Sequence, residues 1–216
     1  MRSEVYNIDC MEFMKTLPDK CFDLVIADPP YGIKEDGKKN HSRSKLAKAQ
    51  EYTPKDWDKQ AMPKEFFDEI IRVSKNQIIW GANHFISRIP YDSPCWIVWD
   101  KDNGNNDFAD CELAWTSFKT AVRKFKYRWA GMLQENMKNK ERRIHPCQKP
   151  VDLYMWLMMN YAPQGGVIFD PMMGSESSRI AAHRLGFDYV GCELDKEYFD
   201  KGCERFKNET MQMQLF

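Results

Sequence analysis

The tetrapeptide Asp28-Pro29-Pro30-Tyr31 joins a carboxylate, two consecutive prolines and a phenol ring. Each proline fixes its φ and removes a backbone donor, so the segment is stiff and presents only acceptors. The Asp28 carboxylate and the Pro29 carbonyl can together accept both protons of a primary amine. Tyr31 offers a ring on which a flat heterocycle can stack. An amine conjugated to a purine is a poor nucleophile, and two acceptors that draw its protons out of the ring plane free its lone pair. A Pro-Pro turn with a capping aspartate is the competing reading, of about equal weight on these four residues alone.

A second group is Phe169-Asp170-Pro171-Met172-Met173-Gly174-Ser175. A glycine here lets the backbone approach a ligand, and the amides opening a following helix attract a carboxylate or phosphate. Glu193 comes about twenty residues later, where an acidic side chain in nucleotide-binding βαβ units bonds ribose hydroxyls. A surface carboxylate capping the next helix is the competing reading for Glu193.

These groups need elements to position them. The run Phe22-Asp23-Leu24-Val25-Ile26-Ala27, ended by Pro29-Pro30, predicts a strand buried on both faces. Further strands are predicted at Val5 to Cys10, Gln77 to Trp80, Cys95 to Trp99, Glu112 to Phe118, Gly166 to Phe169 and Tyr189 to Cys192. Helices are predicted at Met11 to Leu17, from Pro63 with Phe66, Phe67, Ile70 and Ile71 on one stripe, at Val151 to Tyr161, at Ser177 to Leu185 with Gly186 as stop, and at Glu197 to Lys207. Strands alternating with helices imply an α/β fold, a doubly wound and mostly parallel sheet covered on both faces. In such sheets ligands bind outside the carboxyl ends of the strands, where both groups fall.

The chain has 216 residues, 43% of them apolar and 13% aromatic, enough for one domain with a full core. Intrinsic disorder is excluded as the main state. No run of about 18 apolar residues is present, so no membrane span is expected. Met1-Arg2-Ser3-Glu4 has no apolar segment behind it, so no secretory signal is expected. The seven cysteines are odd in number and form no C-x-x-C pair, which reads as reduced thiols in a cytoplasmic protein and not as a zinc site. Zero net charge conceals a polar basic stretch at Lys34 to Lys48 with a balance of +4, and Lys119 to Lys149 with +8. Local positive clusters suit a polyanion, although solvated basic loops would give the same counts. Asp100 to Asn105 lacks the spacing of a calcium loop and reads as a polar turn. Trp80-Gly81-Ala82-Asn83-His84-Phe85 reads equally as a wall of the amine site or as a buried turn.

Taken in order, Asp28-Pro29-Pro30-Tyr31, His145-Pro146-Cys147-Gln148-Lys149-Pro150, Phe169 to Ser175 and Gly191-Cys192-Glu193 resemble the amino-group DNA methyltransferases of the beta arrangement, in which the catalytic motif precedes the S-adenosylmethionine motif. The likeness spans nearly the whole chain. It implies a Rossmann-like methyltransferase fold with permuted motif order, as one domain over residues 1–216 with DNA-contacting insertions near 33–62 and 101–146. It implies S-adenosylmethionine as cofactor and double-stranded DNA as partner. Asp28, Pro29, Pro30 and Tyr31 would hold a flipped base. Phe169, Asp170, Pro171, Gly174, Ser175, Glu193 and Leu194 would line the cofactor, Asp9 and Cys10 would meet its adenine, and Lys149 would pair with its carboxylate. Lys38, Lys39, Arg43, Lys45, Arg123, Lys124, Lys126, Arg128, Arg142 and Arg143 would grip DNA. Adenine is expected over cytosine because related cytosine-amine enzymes more often begin the motif with serine. Both basic segments are short for target recognition, so a homodimer that pools two is expected.

One position departs from the family pattern. Members usually have glycine where this chain has Glu176. A glutamate adds a Cβ and a negative charge near the cofactor's carboxylate, at a cost of about 1 to 3 kcal/mol in binding, unless it turns outward or meets the cofactor's ammonium. With the other motifs intact an active enzyme is expected, and a non-catalytic DNA-binding module or an RNA or protein methyltransferase are the alternatives.

Overall fold

The computed structural model describes residues 1–33, 58–104, 109–130 and 133–211. Lys38, Lys39, Arg43 and Lys45 lie outside them, as does most of the stretch 33–62. The strands are β1 (Ser3–Tyr6), β2 (Phe22–Ala27), β3 (Ser74–Trp80), β4 (Trp96–Asp100), β5 (Cys111–Thr116), β6 (Arg123–Lys126), β7 (Trp129–Ala130), β8 (Leu133–Gln134), β9 (Val167–Asp170) and β10 (Asp188–Cys192). The helices are α1 (Cys10–Lys15), α2 (Lys64–Val73), α3 (Val151–Tyr161), α4 (Ser177–Leu185) and α5 (Lys196–Met211). Eight strands form one sheet in the order β1-β10-β9-β2-β3-β5-β4-β6, and β7 pairs with β8 separately. Every neighbouring pair in the large sheet is parallel except the two made by β5, which runs against β3 and β4.

The continuous apolar run of β2 is explained by two covered faces. Leu24 and Ile26 point into a core with α3 and α4, and Val25 and Ala27 into a core with α1 and α2. Strand order reverses at β2, which has β3 on one side and β9, followed by β10 and β1, on the other. Such a reversal opens a crevice between the carboxyl ends of two neighbouring strands, here β2 and β9.

Three expected elements have their expected limits: β2, α3 and α4, the last stopped by Gly186 at φ 77°. Others differ. Strand β1 ends at Tyr6, and Asp9, expected to close that strand, caps α1 through Oδ1, which accepts from the Met11 amide at 2.7 Å and the Glu12 amide at 3.3 Å. The stretch 101–146 is only partly an excursion from the sheet, because β5 and β6 are strands of it. Among the described residues no helix is long and apolar enough to cross a membrane.

Phe169 was expected to line a ligand. Its ring is instead fully buried, stacked on Phe22 at 4.4 Å between centroids and 5.9 Å from Phe13. Truncating a buried phenylalanine removes transfer free energy and leaves a cavity. Phe169→Ala is therefore expected to lower unfolding stability by about 3 to 5 kcal/mol, read by urea denaturation; a loss under about 1 kcal/mol would show that the ring lines an open site instead.

Candidate active site

Topology brings the chemistry to one edge. The parallel strands β2, β3, β4, β9 and β10 all end there, delivering Asp28, Gly81, Lys101, Asp170 and Glu193. Because β5 runs the other way, its first residues arrive at the same edge, and Glu112 pairs in register with Trp99 of β4. In sequence Glu112 marks only the start of a strand; its place beside Asp28 follows from strand direction, which single-strand patterns do not encode.

At the end of β2, Oδ1 of Asp28 receives the Tyr31 hydroxyl at 2.8 Å and the Lys149 ammonium at 2.6 Å. Among the described residues no donor bonds Oδ2 or the Pro29 carbonyl. The Tyr31 ring lies against Gly81, where a Cβ would come within 2.1 Å of it, and Gly81 has φ +68°. Space and backbone conformation thus both require glycine. His84 stacks on Tyr31 at 5.1 Å and 14°. The Trp80 to Phe85 string is therefore both a tight turn and the wall supporting the Tyr31 ring.

Lys149, expected at a cofactor carboxylate, is committed elsewhere. Its side chain is 4% exposed, and its ammonium also reaches Glu112 Oε2 at 3.1 Å and the Tyr31 oxygen at 3.1 Å. Glu112 Oε1 holds a second cation, Lys101, at 2.5 Å. Two carboxylates and two ammonium groups thus neutralise one another, with Lys149 buried and the other three part-exposed. Burial pushes the Asp28 carboxyl up, with Lys149 opposing. For Glu112 burial also raises, but Lys149 and Lys101 outweigh it and hold the group at about 2. We take the difference to follow from cation number: Glu112 has two and Asp28 one.

On the other side of the crevice, Asp170 is 1% exposed. Its Oδ1 accepts from the Met172 amide at 3.0 Å, and its Oδ2 from the Ser178 hydroxyl at 2.6 Å. Burial lifts its pKa to about 7. Glu193 does not cap α5; Asp195 does, through the Glu197 and Tyr198 amides. The Glu193 carboxylate instead clamps two loops, accepting from the Gly174 amide at 2.9 Å and the Asp195 amide at 2.8 Å. Gly174 has φ +48°, and His145 lies beside it with burial lowering the imidazole to about 4, so it is neutral. Pro171 and Ser175 are buried, and Arg205 of α5 bonds the Ser175 carbonyl at 2.8 Å. Leu194 is 68% exposed at the rim, and Cys10 is buried with its thiol pushed up to about 12.

Glu176 neither turns outward nor faces the crevice. It turns inward against Gly202 of α5, fully buried, and pairs with Arg179 at 2.9 Å, while the Cys203 thiol donates to it at 3.3 Å. Its φ of 60° is left-handed, which accounts for glycine as the family's usual choice. That backbone conformation costs of order 1 to 2 kcal/mol for a residue with a Cβ.

The basic residues fare unevenly. Arg123, Lys124 and Lys126 stand exposed on the edge strand β6. Lys124 pairs with Asp100, and Lys126 and Arg128 with Asp102. Arg142 is exposed, and Arg143 is half-buried with its guanidinium over Trp129 at 4.4 Å.

Residues 96–204, about half of the chain, match the N6/N4 methyltransferase family described as DNA methylase. This chain belongs to that DNA methylase family. A curated relative is the type II methyltransferase M.HinfI of Haemophilus influenzae, 26% identical, with 92% of this chain and 67% of the relative covered. Among solved structures, the M1.HpyAVI–SAM complex aligns with TM-score 0.59 at 22% identity, covering 94% of this methylase and 98% of the other. The cytosine-N4-specific PvuII DNA methyltransferase aligns with TM-score 0.62 at 12% identity, covering 97% and 90%. The Rossmann-like methyltransferase fold is therefore shared.

Asp170 gives the methylase a pH signature. A carboxyl whose folded pKa, about 7, exceeds its ordinary 3.8 holds its proton more tightly when folded. Its contribution to stability is present below pH 3.8 and is lost as pH rises through about 7. Asp170→Asn is expected to gain stability on the ligand-free wild type across that window, by at most about 1.4 kcal/mol per pH unit. Urea midpoints at a series of pH values read it; a difference independent of pH would contradict the burial argument.

Proposed function

We propose that this methylase transfers a methyl group from S-adenosylmethionine to the exocyclic amine of adenine in duplex DNA, with the base flipped out of the helix. The observation that carries the reading is that Asp28, whose Oδ2 meets no donor among the described residues, stands with Asp170 and Glu193 at the carboxyl ends of the neighbouring strands β2, β9 and β10.

The residues present suit the cofactor. Asp170 is a buried carboxylate with no cation among the groups that shift it, so a bound ammonium or sulfonium would supply its missing countercharge. Glu193 holds Gly174 in place and offers its carboxylate to ribose hydroxyls, with Pro171, Ser175 and the exposed Leu194 around it. Asp9 and Cys10 support the floor from α1, and Phe169 acts through its backbone. Bound there, the cofactor supplies an electrophilic methyl group on a positively charged sulfur.

The chain's own part is orientation and charge. Asp28 Oδ2 and Pro29 accept the two amine protons, so the nitrogen lone pair turns toward the methyl group. As the C–N bond forms, the C–S bond breaks and its electron pair stays on sulfur. The amine's extra proton passes to Asp28 and then to water. No covalent enzyme intermediate is needed. Tyr31, fixed on Gly81 and His84, provides the shelf for the base. Arg123 and Arg142, with Lys124, Lys126 and Arg128 once released from their aspartates, would meet phosphates, and two copies would pool their recognition segments as a homodimer. The protein would act in the cytoplasm as the modification half of a restriction-modification pair. Cytosine amine is the second reading, favoured by the shared fold of the cytosine-N4-specific PvuII enzyme.

Asp28→Ala is expected to slow labelled-methyl transfer to duplex DNA by about 100- to 1000-fold while cofactor binding measured by calorimetry persists. Nucleoside analysis of the product distinguishes N6-methyladenine from N4-methylcytosine. Transfer at the wild-type rate by the variant would remove the proposed role of the corner.

A further inference from the structure

We propose that Glu112, seated by Lys101, is a positioning residue for methyl transfer: it shares the Lys149 ammonium with Asp28 and so keeps that cation on Oδ1, leaving Oδ2 to the substrate amine. The inference rests on the methyl-transfer reading above and extends it to residues that touch neither the base nor the cofactor.

Distance and burial carry it. Lys149 lies 2.6 Å from Asp28 Oδ1 and 3.1 Å from Glu112 Oε2, and the Tyr31 hydroxyl is 2.8 Å from the former and 3.4 Å from the latter. Lys149 therefore stands between two carboxylates, with the Tyr31 and Trp80 rings each 5.5 Å from its nitrogen. An ammonium with a single buried carboxylate would centre on it and cover both oxygens, because a compact point charge has no directional fork. The pull of Glu112 prevents this. Lys101, 2.5 Å from Glu112 Oε1, anchors the far oxygen, so Glu112 is held from two sides. Glu112 stays ionised throughout the working pH range and acts there as a constant charge.

The groups facing Asp28 are Tyr31 from the same loop, Glu112 from β5, Lys149 from the segment before α3, Tyr154 from α3 and Asp170 from β9. Removing the negative charge of Glu112 must lower the Asp28 pKa, and removing the positive charge of Lys149 must raise it.

The test uses the full chain as wild type, E112Q, E112D and K149M. The carboxyl carbon of Asp28 is titrated by NMR in the ligand-free protein, and kcat for transfer to duplex DNA is measured against pH. For E112Q the expected results are a downward shift of the Asp28 titration and of the acid limb of kcat, with kcat lowered about 10- to 100-fold. Both KM values should hold, while the melting temperature falls because Lys149 keeps one carboxylate and Lys101 loses its partner. E112D should restore the wild-type titration, and K149M should shift it upward; if K149M does not fold, E112Q and E112D carry the test. An E112Q protein with an unshifted Asp28 titration or wild-type kcat overturns the proposal, as does an acid limb of kcat that does not move with the Asp28 titration. A wild type that transfers no methyl group to DNA would remove the functional reading and this inference with it.

Discussion

A carboxylate withdrawn from water at the end of a strand stays ionised only while a cation stays beside it, and a cation drawn that deep needs more than one carboxylate to offset its own desolvation. Asp28, Lys149, Glu112 and Lys101 satisfy both conditions as a closed set. The four come from three strand ends and the approach to α3, so the charge balance also ties Asp28 to Lys149, far apart in the chain. The reversed β5 makes this possible. A sheet parallel throughout would present only strand exits at this edge; one antiparallel strand adds an entrance, and with it a residue aimed back at its neighbours.

Much of the fold was legible because burial on two faces writes itself into sequence. The unbroken apolar run of β2, the nearly all-apolar α3 and the glycine-terminated α4 carry their limits in residue type. The edge strand β6 was not legible. Arg123, Lys124 and Lys126 are exposed, and one half-buried phenylalanine among three basic residues does not distinguish a strand from a solvated loop. At the site, Asp28 and Asp170 were legible because strand-terminal motifs announce them. Glu112 was not, since nothing local to Cys111-Glu112-Leu113 tells which strand it will face. The sequence marks Lys149 as a candidate site residue but not its pairing with Asp28 and Glu112, which depends on tertiary distance.

Glu176 shows how a departure from a pattern can be absorbed without reaching the site. The backbone at Glu176 is left-handed in this chain, a conformation that glycine adopts without a Cβ penalty. Here the side chain is used to stitch α4 to α5 through Arg179 and Cys203, and its charge is neutralised behind the loop.

The placement of β6 bears on how copies of this chain can meet. An open sheet edge is an invitation to add another strand, and natural proteins deter this by lining the edge with like charges. Two molecules laid together along β6 would set Arg123, Lys124 and Lys126 against the same residues of the other copy. Asp100 at the end of β4 and Asp102 just beyond it pair with Lys124 and Lys126 and soften that repulsion, leaving Arg123 outside these pairs. Like charges along β6 thus disfavour pairing of two copies edge to edge through this strand.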